Sequence, residues 1–553
     1  MNVSKQRQSF FFFAILLVCC FKLTHGLYDV LDICLVDEHN YLLAGIKRQL
    51  NIEYAPLYTS WYYLLSHIAD NNTHLMFLNF KILTILFPCA LFWLLLKLKL
   101  EPLFAFLLSF LILYSQFNLP MAPKVVIFMD LVQIIILALA ASGLHKETRN
   151  ILIAFFLFIS YYIRPEYKFS FLLFFIFIVV NYLYQFYKGR KPEKAGLFLL
   201  LLLMFAAISF WIGFPFKNQN GKQLLAFGSS YALNYVKWHH SSENAWSNWF
   251  HILKESFGNV SSPAEALMAN PGLFLKHVFS NIRDYIWIFT HLIIPTFIPV
   301  SLLKQSILSS VLFLISIAGT GYYYFKNYRL QFNTFIQRLR KYDFTLVVCL
   351  LLLIPNALSI LIITTRYHYI SLELPAFALL IALLFISFSV PKAENKHSAF
   401  LTYLSFHVAL LFILITPLPA QNSLLKESFK DRHIIDKVNQ LNALKLNDSD
   451  TIKSLNCDIL MFSAYKSRNT SYFDKFIGFN NVTFNINFYT FLNDHHFNLI
   501  VVDDDISNQR DYHTDKDWQD FLIRYDSLGF SKVRVTDNSF YLIKKEILPA
   551  VKQ

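Results

Sequence analysis

The sequence predicts a mainly α-helical protein that crosses a membrane many times and ends in a small α/β domain. Hydrophobic residues make up 56% of its 553 residues, whereas soluble globular chains contain about 45–50%. Apolar runs of about 20 residues recur over residues 1–419, and each is long enough to cross a hydrocarbon core of ~30 Å. Within residues 420–553, short apolar runs alternate with amphipathic ones, which is typical of an α/β domain.

Eleven segments are predicted to cross the membrane. The first is predicted to be a retained helix rather than a cleaved signal peptide, because Lys22 and His25 make a poor cleavage site. A twelfth segment, 285–303, contains Pro295 and Pro299 and is predicted to lie at the interface or to re-enter the membrane. The predicted spans are 9–25, 77–96, 103–118, 125–144, 150–163, 168–186, 197–215, 306–325, 344–363, 372–390 and 400–418.

Basic residues set the predicted orientation of these spans. Lys5 and Arg7 favour a cytoplasmic N-terminus, because basic residues are enriched in cytoplasmic loops. If segment 285–303 does not cross, the most basic connecting loop is cytoplasmic as well; its cations are Lys326, Arg329, Arg338, Arg340 and Lys341. The outer face then holds two loops, 26–75 and 216–284, and the C-terminal domain.

The formal net charge of +13 follows from the same distribution. On a soluble protein this excess would suggest nucleic-acid binding, but here much of it lies in short loops, where it sets the topology. The sequence contains no Walker loop, no GxGxxG and no HExxH motif. We therefore expect neither a nucleic-acid partner nor a nucleotide cofactor.

The C-terminal domain is predicted to alternate strands and helices. Asp537-Asn538 is a turn sequence between two apolar runs, which favours a hairpin. The predicted strands are 458–465, 498–505, 532–536 and 539–544, and the predicted helix is 518–527.

The first outer loop carries the most informative motif of the chain. It holds six acidic residues against two basic ones, with Asp37 and Glu38 side by side. A carboxylate at a membrane surface can act as a base toward an acceptor hydroxyl. The alternative is structural: an acid in the first turn of a helix over 38–50 stabilises the helix dipole by about 0.3–1 kcal/mol. A second run follows, from Glu53 through Pro56 to Tyr58.

Three further positions are candidates for a site. Asp130 lies inside the span 125–144, where inserting a carboxylate into the membrane costs about 2.5–3.5 kcal/mol. Its side chain should therefore face a cavity or a partner. If its role is only structural, the partner is Lys124. Arg164 lies in a tight hairpin and is suited to binding a phosphate in a bidentate manner, or else pairs with Glu166. Arg366-Tyr367 opens the outer end of another span, where it could bind a lipid phosphate or belong to an aromatic belt.

Together these motifs resemble those of the GT-C class of membrane glycosyltransferases. The similar branch contains protein mannosyltransferases and the lipid A aminoarabinose transferase. The corresponding positions are Asp37-Glu38, the run Glu53–Tyr58 with Trp61, Asp130, and Arg366-Tyr367 before Pro375. The chain departs from the pattern at Tyr54, where the class has a basic residue, and at Ala55, where it has the first of two prolines.

The resemblance implies transfer of a sugar from a polyprenyl-phosphate donor in the bilayer to a glycan, lipid or protein acceptor, by direct displacement with inversion. No nucleotide is needed, because the bond to the lipid phosphate supplies the energy. Asp37 would be the base, and Glu38 with Asp130 would hold the acceptor or a divalent ion. The implied substrate-binding residues are Arg48, Glu53, Tyr58, Arg164, Glu166, Arg366 and Tyr367. A bacterial plasma membrane is the implied location.

Two other functions stay open at this point. One is a transporter for a lipid-linked glycan, which would be expected to show repeated halves and charges in mid-span. The other is a polymerase or ligase of surface polysaccharide, whose large outer loop would be expected to carry more Arg and His than 216–284 does.

Overall fold

The protein is mainly helical, with a small mixed sheet near its C-terminal end. The computed structural model describes residues 3–33, 38–48, 55–115, 118, 124–189, 194–214, 222–297, 307–364, 367–391, 398–421, 433–444, 452–455, 471–473, 488–502, 515–534 and 539–548.

Twenty helices precede the C-terminal domain in the described part of the chain. They are α1 (Val3–Thr24), α2 (Leu27–Val30), α3 (Glu38–Ile46), α4 (Pro56–Leu65), α5 (Asn72–Lys97), α6 (Pro102–Tyr114), α7 (Val125–Ala140), α8 (Lys146–Tyr161), α9 (Lys168–Tyr187), α10 (Ala195–Ile212), α11 (Lys222–His239), α12 (Trp249–Phe257), α13 (Pro263–Ala269), α14 (Pro271–Phe297), α15 (Ile307–Asn327), α16 (Phe335–Arg340), α17 (Asp343–Ile362), α18 (Tyr367–Ser371), α19 (Leu374–Phe388) and α20 (Ser398–Ile415).

Six helical segments of the described chain are long and apolar enough to cross a membrane. They are Gln6–Val30, Asn72–Lys97, Pro165–Tyr187, Ala195–Ile212, Asp343–Ile362 and Tyr369–Phe388. Three shorter apolar helical segments are Pro102–Tyr114, Val125–Ala140 and Tyr403–Ile415. These findings fit an integral membrane protein, and every predicted span overlaps a helix. The count of eleven crossings stays a prediction.

The ambiguous segment 285–303 begins inside a long helix. α14 runs without interruption from Pro271 to Phe297, and residues 298–303 lie outside the described chain. α14 is not among the six helical segments that meet the criteria of length and apolarity. Whether it re-enters or crosses stays a prediction.

The first loop folds into a helical hairpin against the bundle. α3 and α4 pack closely at Gly45, where an added Cβ would lie 2.7 Å from the carbonyl oxygen of Thr59 and from Cβ of Tyr62. Ala55 precedes α4 in a left-handed conformation, with φ at 49°. The next residue, Pro56, opens the helix at a position that needs no backbone N–H. The hairpin thus presents α4 to the membrane helices.

The C-terminal domain contains a five-stranded sheet. Its strands are β3 (Lys453–Leu455), β4 (Ser471–Phe473), β5 (Leu499–Val502), β6 (Phe530–Arg534) and β7 (Phe540–Lys544). The strand order is β4-β3-β5-β7-β6; β3 is parallel to β4 and β5, whereas β7 is antiparallel to β5 and β6. The predicted hairpin is confirmed by β6 and β7, and the predicted strand 458–465 lies outside the described residues.

Helices cover both faces of this sheet. They are α21 (His433–Ala443), α22 (Phe488–His495) and α23 (Lys516–Arg524). Alternate residues of β5 point to opposite faces. Ile500 packs in one core with side chains of α22 and α23, and Val501 belongs to the core that also holds α21 and the membrane helices.

Asp32 connects the first loop to this domain. Its carboxylate accepts hydrogen bonds from the backbone N–H groups of Ile434 and Ile435, both at 2.9 Å, at the N-terminal end of α21. A carboxylate at this place satisfies helix N–H groups that have no partner within the helix. Asp32 therefore caps a helix about 400 residues away in the chain.

Candidate functional site

Glu38 lies at the centre of a buried hydrogen-bonded cluster that we call the Glu38 centre: Glu38, Tyr58, Tyr62, Asn79 and the main chain of Lys124. The Glu38 side chain is completely buried. Its Oε1 accepts bonds from the hydroxyls of Tyr58 and Tyr62 and from Asn79 Nδ2, the last at 3.1 Å. Its Oε2 accepts a 2.7 Å bond from the backbone N–H of Lys124. Both carboxylate oxygens therefore have donors.

Three helices bring this cluster together. Tyr58 and Tyr62 lie four residues apart on α4 and so share one face, with their ring centres 5.2 Å apart. Asn79 extends from α5, and its amide nitrogen lies 2.7 Å from the Tyr58 hydroxyl and 2.9 Å from that of Tyr62. Trp61 donates to Asn79 Oδ1 at 2.9 Å. This bond fixes the orientation of the Asn79 amide.

Burial shapes the ionisation of the cluster. It raises the pKa of Glu38, because the charged carboxylate has lost its water; the hydrogen bonds from Tyr58, Tyr62 and the Lys124 main chain, and the Lys124 charge, act in the opposite direction. Burial also raises the pKa values of Tyr58 and Tyr62 well above the ordinary value, and the charge of Glu38 adds to the effect. Both hydroxyls consequently keep their protons and remain donors.

Lys124 stands between the two buried carboxylates of this region. Its Nζ donates to Asn118 O at 2.7 Å and lies 3.2 Å from Thr84 Oγ1. Burial lowers the pKa of Lys124 to about 7, although the charges of Glu38 and Asp130 act to raise it. The ammonium charge is therefore sensitive to whatever charge is placed nearby.

Asp130 is the second buried carboxylate. It lies on α7 and is completely buried, yet neither of its carboxylate oxygens has a hydrogen-bond partner among the described residues. The cations that act on it are Arg164 and Lys124. A buried carboxyl group without hydrogen bonds is costly. Asp130 thus retains all of its accepting capacity for another group.

A bridge of hydrogen bonds joins α7 to its neighbours one turn after Asp130. Gln133 Nε2 donates to the hydroxyl of Tyr167 at 2.7 Å and to the carbonyl of Leu372 at 3.0 Å. Tyr167 ends the short 3-10 turn Pro165–Tyr167, which follows Arg164. The bridge holds Asp130 in a fixed relation to the hairpin between α8 and α9.

Arg164 and Glu166 form an ion pair in that hairpin. The guanidinium nitrogens Nε and Nη2 lie 2.8 and 2.7 Å from the same oxygen, Glu166 Oε1. The Arg164 side chain is 12% exposed, and its guanidinium lies 5.1 Å from the ring centre of Tyr369. Burial lowers the pKa of Arg164, but the Glu166 carboxylate and nearby tyrosines outweigh this, so the net shift is upward. The predicted alternative, pairing with Glu166, is confirmed.

An apolar groove begins beside this hairpin. It has a volume of about 450 Å³ and lies between α8, α9 and α10. Tyr162 connects it to the hairpin: its ring packs against Phe158 at 5.3 Å, and its hydroxyl donates to the carbonyl of Gly213 at 3.1 Å. The lining residues are Phe158, Phe171, Phe175, Phe205, Ala206, Ser209, Phe210 and Phe214.

A third buried carboxylate, Glu373, was not among the residues assigned a role from sequence. Its oxygens accept bonds from the Tyr285 hydroxyl at 2.7 Å and from Asn356 Nδ2 at 2.8 Å. Glu373 lies inside a predicted span, which is the pattern that could have identified it. Tyr62 and Asn79 were also missed, because isolated polar residues within apolar runs are common.

Several predicted site residues are not part of these contacts. Asp37, Glu53 and Arg366 lie outside the described residues. Tyr367 is the first residue of α18, a helix next to Arg164 through Tyr369. Arg48 is exposed and packs over the ring of Tyr63 at 4.5 Å, away from the Glu38 centre.

The described residues thus bring together Glu38, Tyr58, Asp130, Arg164 and Glu166. A carboxylate with free accepting capacity beside a guanidinium can bind a hydroxyl-bearing ligand and an anionic one at neighbouring positions. Within the described part of the chain, no three His, Cys, Asp or Glu side chains are close enough together to hold a metal ion.

No protein-family model, no curated protein and no solved structure matches the chain.

Proposed function

We propose that this protein is a membrane glycosyltransferase that moves a sugar from a polyprenyl-phosphate donor to an acceptor on the extracytoplasmic face, with inversion. The observation that carries the proposal is Asp130, a completely buried carboxylate without a hydrogen-bond partner in the described chain, within electrostatic reach of Arg164. The motif resemblance to the GT-C class supports the same conclusion. The proposal includes about eleven membrane crossings and a C-terminal domain on the outer face of a bacterial plasma membrane.

The proposed chemistry divides into an acceptor side and a donor side. On the acceptor side, Asp37 takes the proton from an acceptor hydroxyl while Asp130 accepts hydrogen bonds from the acceptor. The acceptor oxygen attacks the anomeric carbon, and the bond from that carbon to the phosphate oxygen breaks. The electron pair leaves with the polyprenyl phosphate, whose charge is neutralised by Arg164 and Arg366.

Glu38 has a different role in this proposal from the one its motif implies. Its carboxylate is occupied by four donors, so it has little capacity left for an acceptor. We assign it as a positioning residue that fixes the start of α3. Tyr58 likewise acts through Glu38 rather than on the substrate.

The donor side is supported by the apolar groove. A polyprenyl chain is a long apolar ligand, and the groove of about 450 Å³ is lined mainly by phenylalanines. Its link to the hairpin through Tyr162 places this surface near Arg164. A lipid chain in the groove would bring its phosphate to the guanidinium, which can bind it in a bidentate manner.

The test compares the cell-envelope glycans of the source organism by mass spectrometry, with wild-type protein or single variants expressed at equal levels. Asp37→Asn and Asp130→Asn are each expected to remove one sugar mass from one acceptor. Asp70→Asn is the matched control, because Asp70 is an exposed acid of the same predicted loop and should leave the profile unchanged. An unchanged profile with both test variants would contradict the proposal.

A further inference from the structure

A small folded platform lies at the opposite end of the bundle in the predicted topology. We call it the basic platform: β1 (Tyr328–Leu330), β2 (Ser389–Pro391) and the connecting residues through α16 to Lys341. The two strands pair antiparallel, and the backbone N–H of Gln331 continues the ladder to the carbonyl of Phe388 at 2.8 Å. The loop that sequence identifies only as basic is therefore an ordered structure.

Arg338 fastens α16 to the strands. Its guanidinium donates to the carbonyl of Ser389 and to the side-chain oxygen of Gln331, both at 3.2 Å. The ring of Phe335 stacks on that of Phe388, with centres 3.9 Å apart. Arg338, one of the five cations of the loop, therefore has a structural role.

Three other cations of the platform have no such role. Arg329, Arg340 and Lys341 are exposed, and none of them forms an ion pair in the described chain. No acid occurs in the sequence from 326 to 342. Asp343 follows at the start of α17 and likewise has no ion pair in this part of the structure. One acid from another part of the chain contacts the platform: Glu101 accepts a 2.9 Å bond from the hydroxyl of Tyr328. The basic residues outnumber this acid, so the platform carries a net positive charge.

An apolar groove of about 380 Å³ adjoins the basic platform, whose residues Leu330 and Phe332 help to line it. Leu330, next to Arg329 in β1, lines it and is 55% exposed. The side of α19 from Ile381 to Phe388 forms its length, which corresponds to about 10 Å at 1.5 Å per residue. The groove can therefore hold part of a hydrocarbon chain beside the basic platform.

We propose that the basic platform binds a phospholipid with a net negative headgroup, with one acyl chain in the groove and the phosphate against Arg329, Arg340 and Lys341. Guanidinium groups bind phosphate in a bidentate manner, and basic pockets beside membrane helices select anionic headgroups. Orientation of the protein in the membrane needs only the charges, not a folded platform over a groove. The site is independent of the Glu38 centre and of the proposed transfer reaction.

The test uses the full-length protein in detergent, titrated with phosphatidylglycerol or with phosphatidylcholine of the same acyl chains, and native mass spectrometry to count bound lipids. Wild-type protein is expected to retain phosphatidylglycerol tenfold to a hundredfold more tightly, on the order expected for three cations near one headgroup. The triple variant R329Q/R340Q/K341Q should bind both lipids equally weakly.

Two controls distinguish binding at this site from a general effect of positive charge and from binding of the phosphate group alone. K188Q/K194Q removes two cations from another predicted cytoplasmic loop and should keep the preference. Leu384→Trp fills the groove and should weaken the binding of both lipids. The melting temperature of this variant should stay near that of the wild type. Equal retention of the two lipids by wild type, loss of preference in K188Q/K194Q, or displacement of lipid by glycerol 3-phosphate alone would overturn the proposal.

Discussion

Glu38 and Asp130 are both completely buried acids near Lys124, but their surroundings are opposite. Glu38 accepts four hydrogen bonds, whereas Asp130 accepts none within the described chain. A satisfied carboxylate stabilises the elements that supply its donors, and an unsatisfied one costs about 1–3 kcal/mol or more. Burial alone therefore does not distinguish the two acids; the supply of hydrogen-bond donors does.

The two acids also differ in where their partners come from. The Glu38 centre joins α3, α4, α5 and the start of α7, so it is a junction between the first loop and the bundle. Asp130 instead lies beside a charged hairpin whose geometry is fixed by Gln133. The first arrangement ties several elements together, and the second leaves both oxygens of Asp130 without a donor in the described chain.

The largest expected effect is on activity, from Asp130→Asn. This variant replaces the carboxyl group by an amide of nearly the same shape, so we expect transfer to fall about 10²–10⁴-fold, as for a positioned electrostatic or acid–base group. Stability should be nearly unchanged, since the amide replaces a carboxyl group that likewise has no hydrogen-bond partner in the described chain. Measurement requires initial transfer rates and melting temperatures in the same detergent. Full transfer activity in Asp130→Asn would contradict a role for Asp130 in the reaction that Glu38 does not share.

The next effect is on stability, from Glu38→Gln. The amide cannot accept from Lys124 N–H and from the tyrosines at once, because one of its two ends is a donor. We expect the free energy of unfolding to fall by about 1–3 kcal/mol through the donors left without an acceptor. Chemical or thermal unfolding measures this, with the exposed Glu255→Gln as control. An unchanged midpoint in Glu38→Gln would contradict a structural role.

The sequence alone points to Asp130 more clearly than to the surroundings of Glu38. Asp130 could be singled out because an acid in an apolar span is rare and costly. The environment of Glu38 could not, because its partners Asn79 and Lys124 lie 41 and 86 residues away. One of those partners is a backbone N–H, which no residue pattern identifies.

The fold shows the same division between local and long-range information. Helix positions and the β6–β7 hairpin follow from apolar periodicity and turn residues, which act over a few positions. The contact between Asp32 and α21 depends on a long-range meeting of two chain segments that periodicity does not encode. The basic platform likewise needed the pairing of β1 with β2, which lie about 60 residues apart.

An effect of similar size is expected from Gly45→Ala, which tests how firmly α4 holds the Glu38 centre. The added methyl would meet the Thr59 carbonyl and Tyr62 Cβ at 2.7 Å, so α4 must shift away from α3. We expect a loss of about 1–3 kcal/mol in unfolding free energy. Gly143→Ala is the control, because a Cβ there meets nothing within 4 Å. Equal stability of the two variants would show that α3 and α4 can separate without cost.

The smallest expected effect comes from Asp32→Ala, at a buried acid of the same predicted loop as Glu38. Asp32 resembles Glu38 in being fully engaged, but its long-range donors are the backbone N–H groups of Ile434 and Ile435. Loss of such a cap costs about 0.5–2 kcal/mol, and we expect it to appear as faster proteolysis around α21 rather than as global unfolding. Limited proteolysis with mass mapping measures the rate, with Asp29→Ala as the matched control. If Asp32→Ala instead lowered transfer as strongly as Asp130→Asn at an unchanged cleavage rate, engagement by donors would not separate structural acids from functional ones.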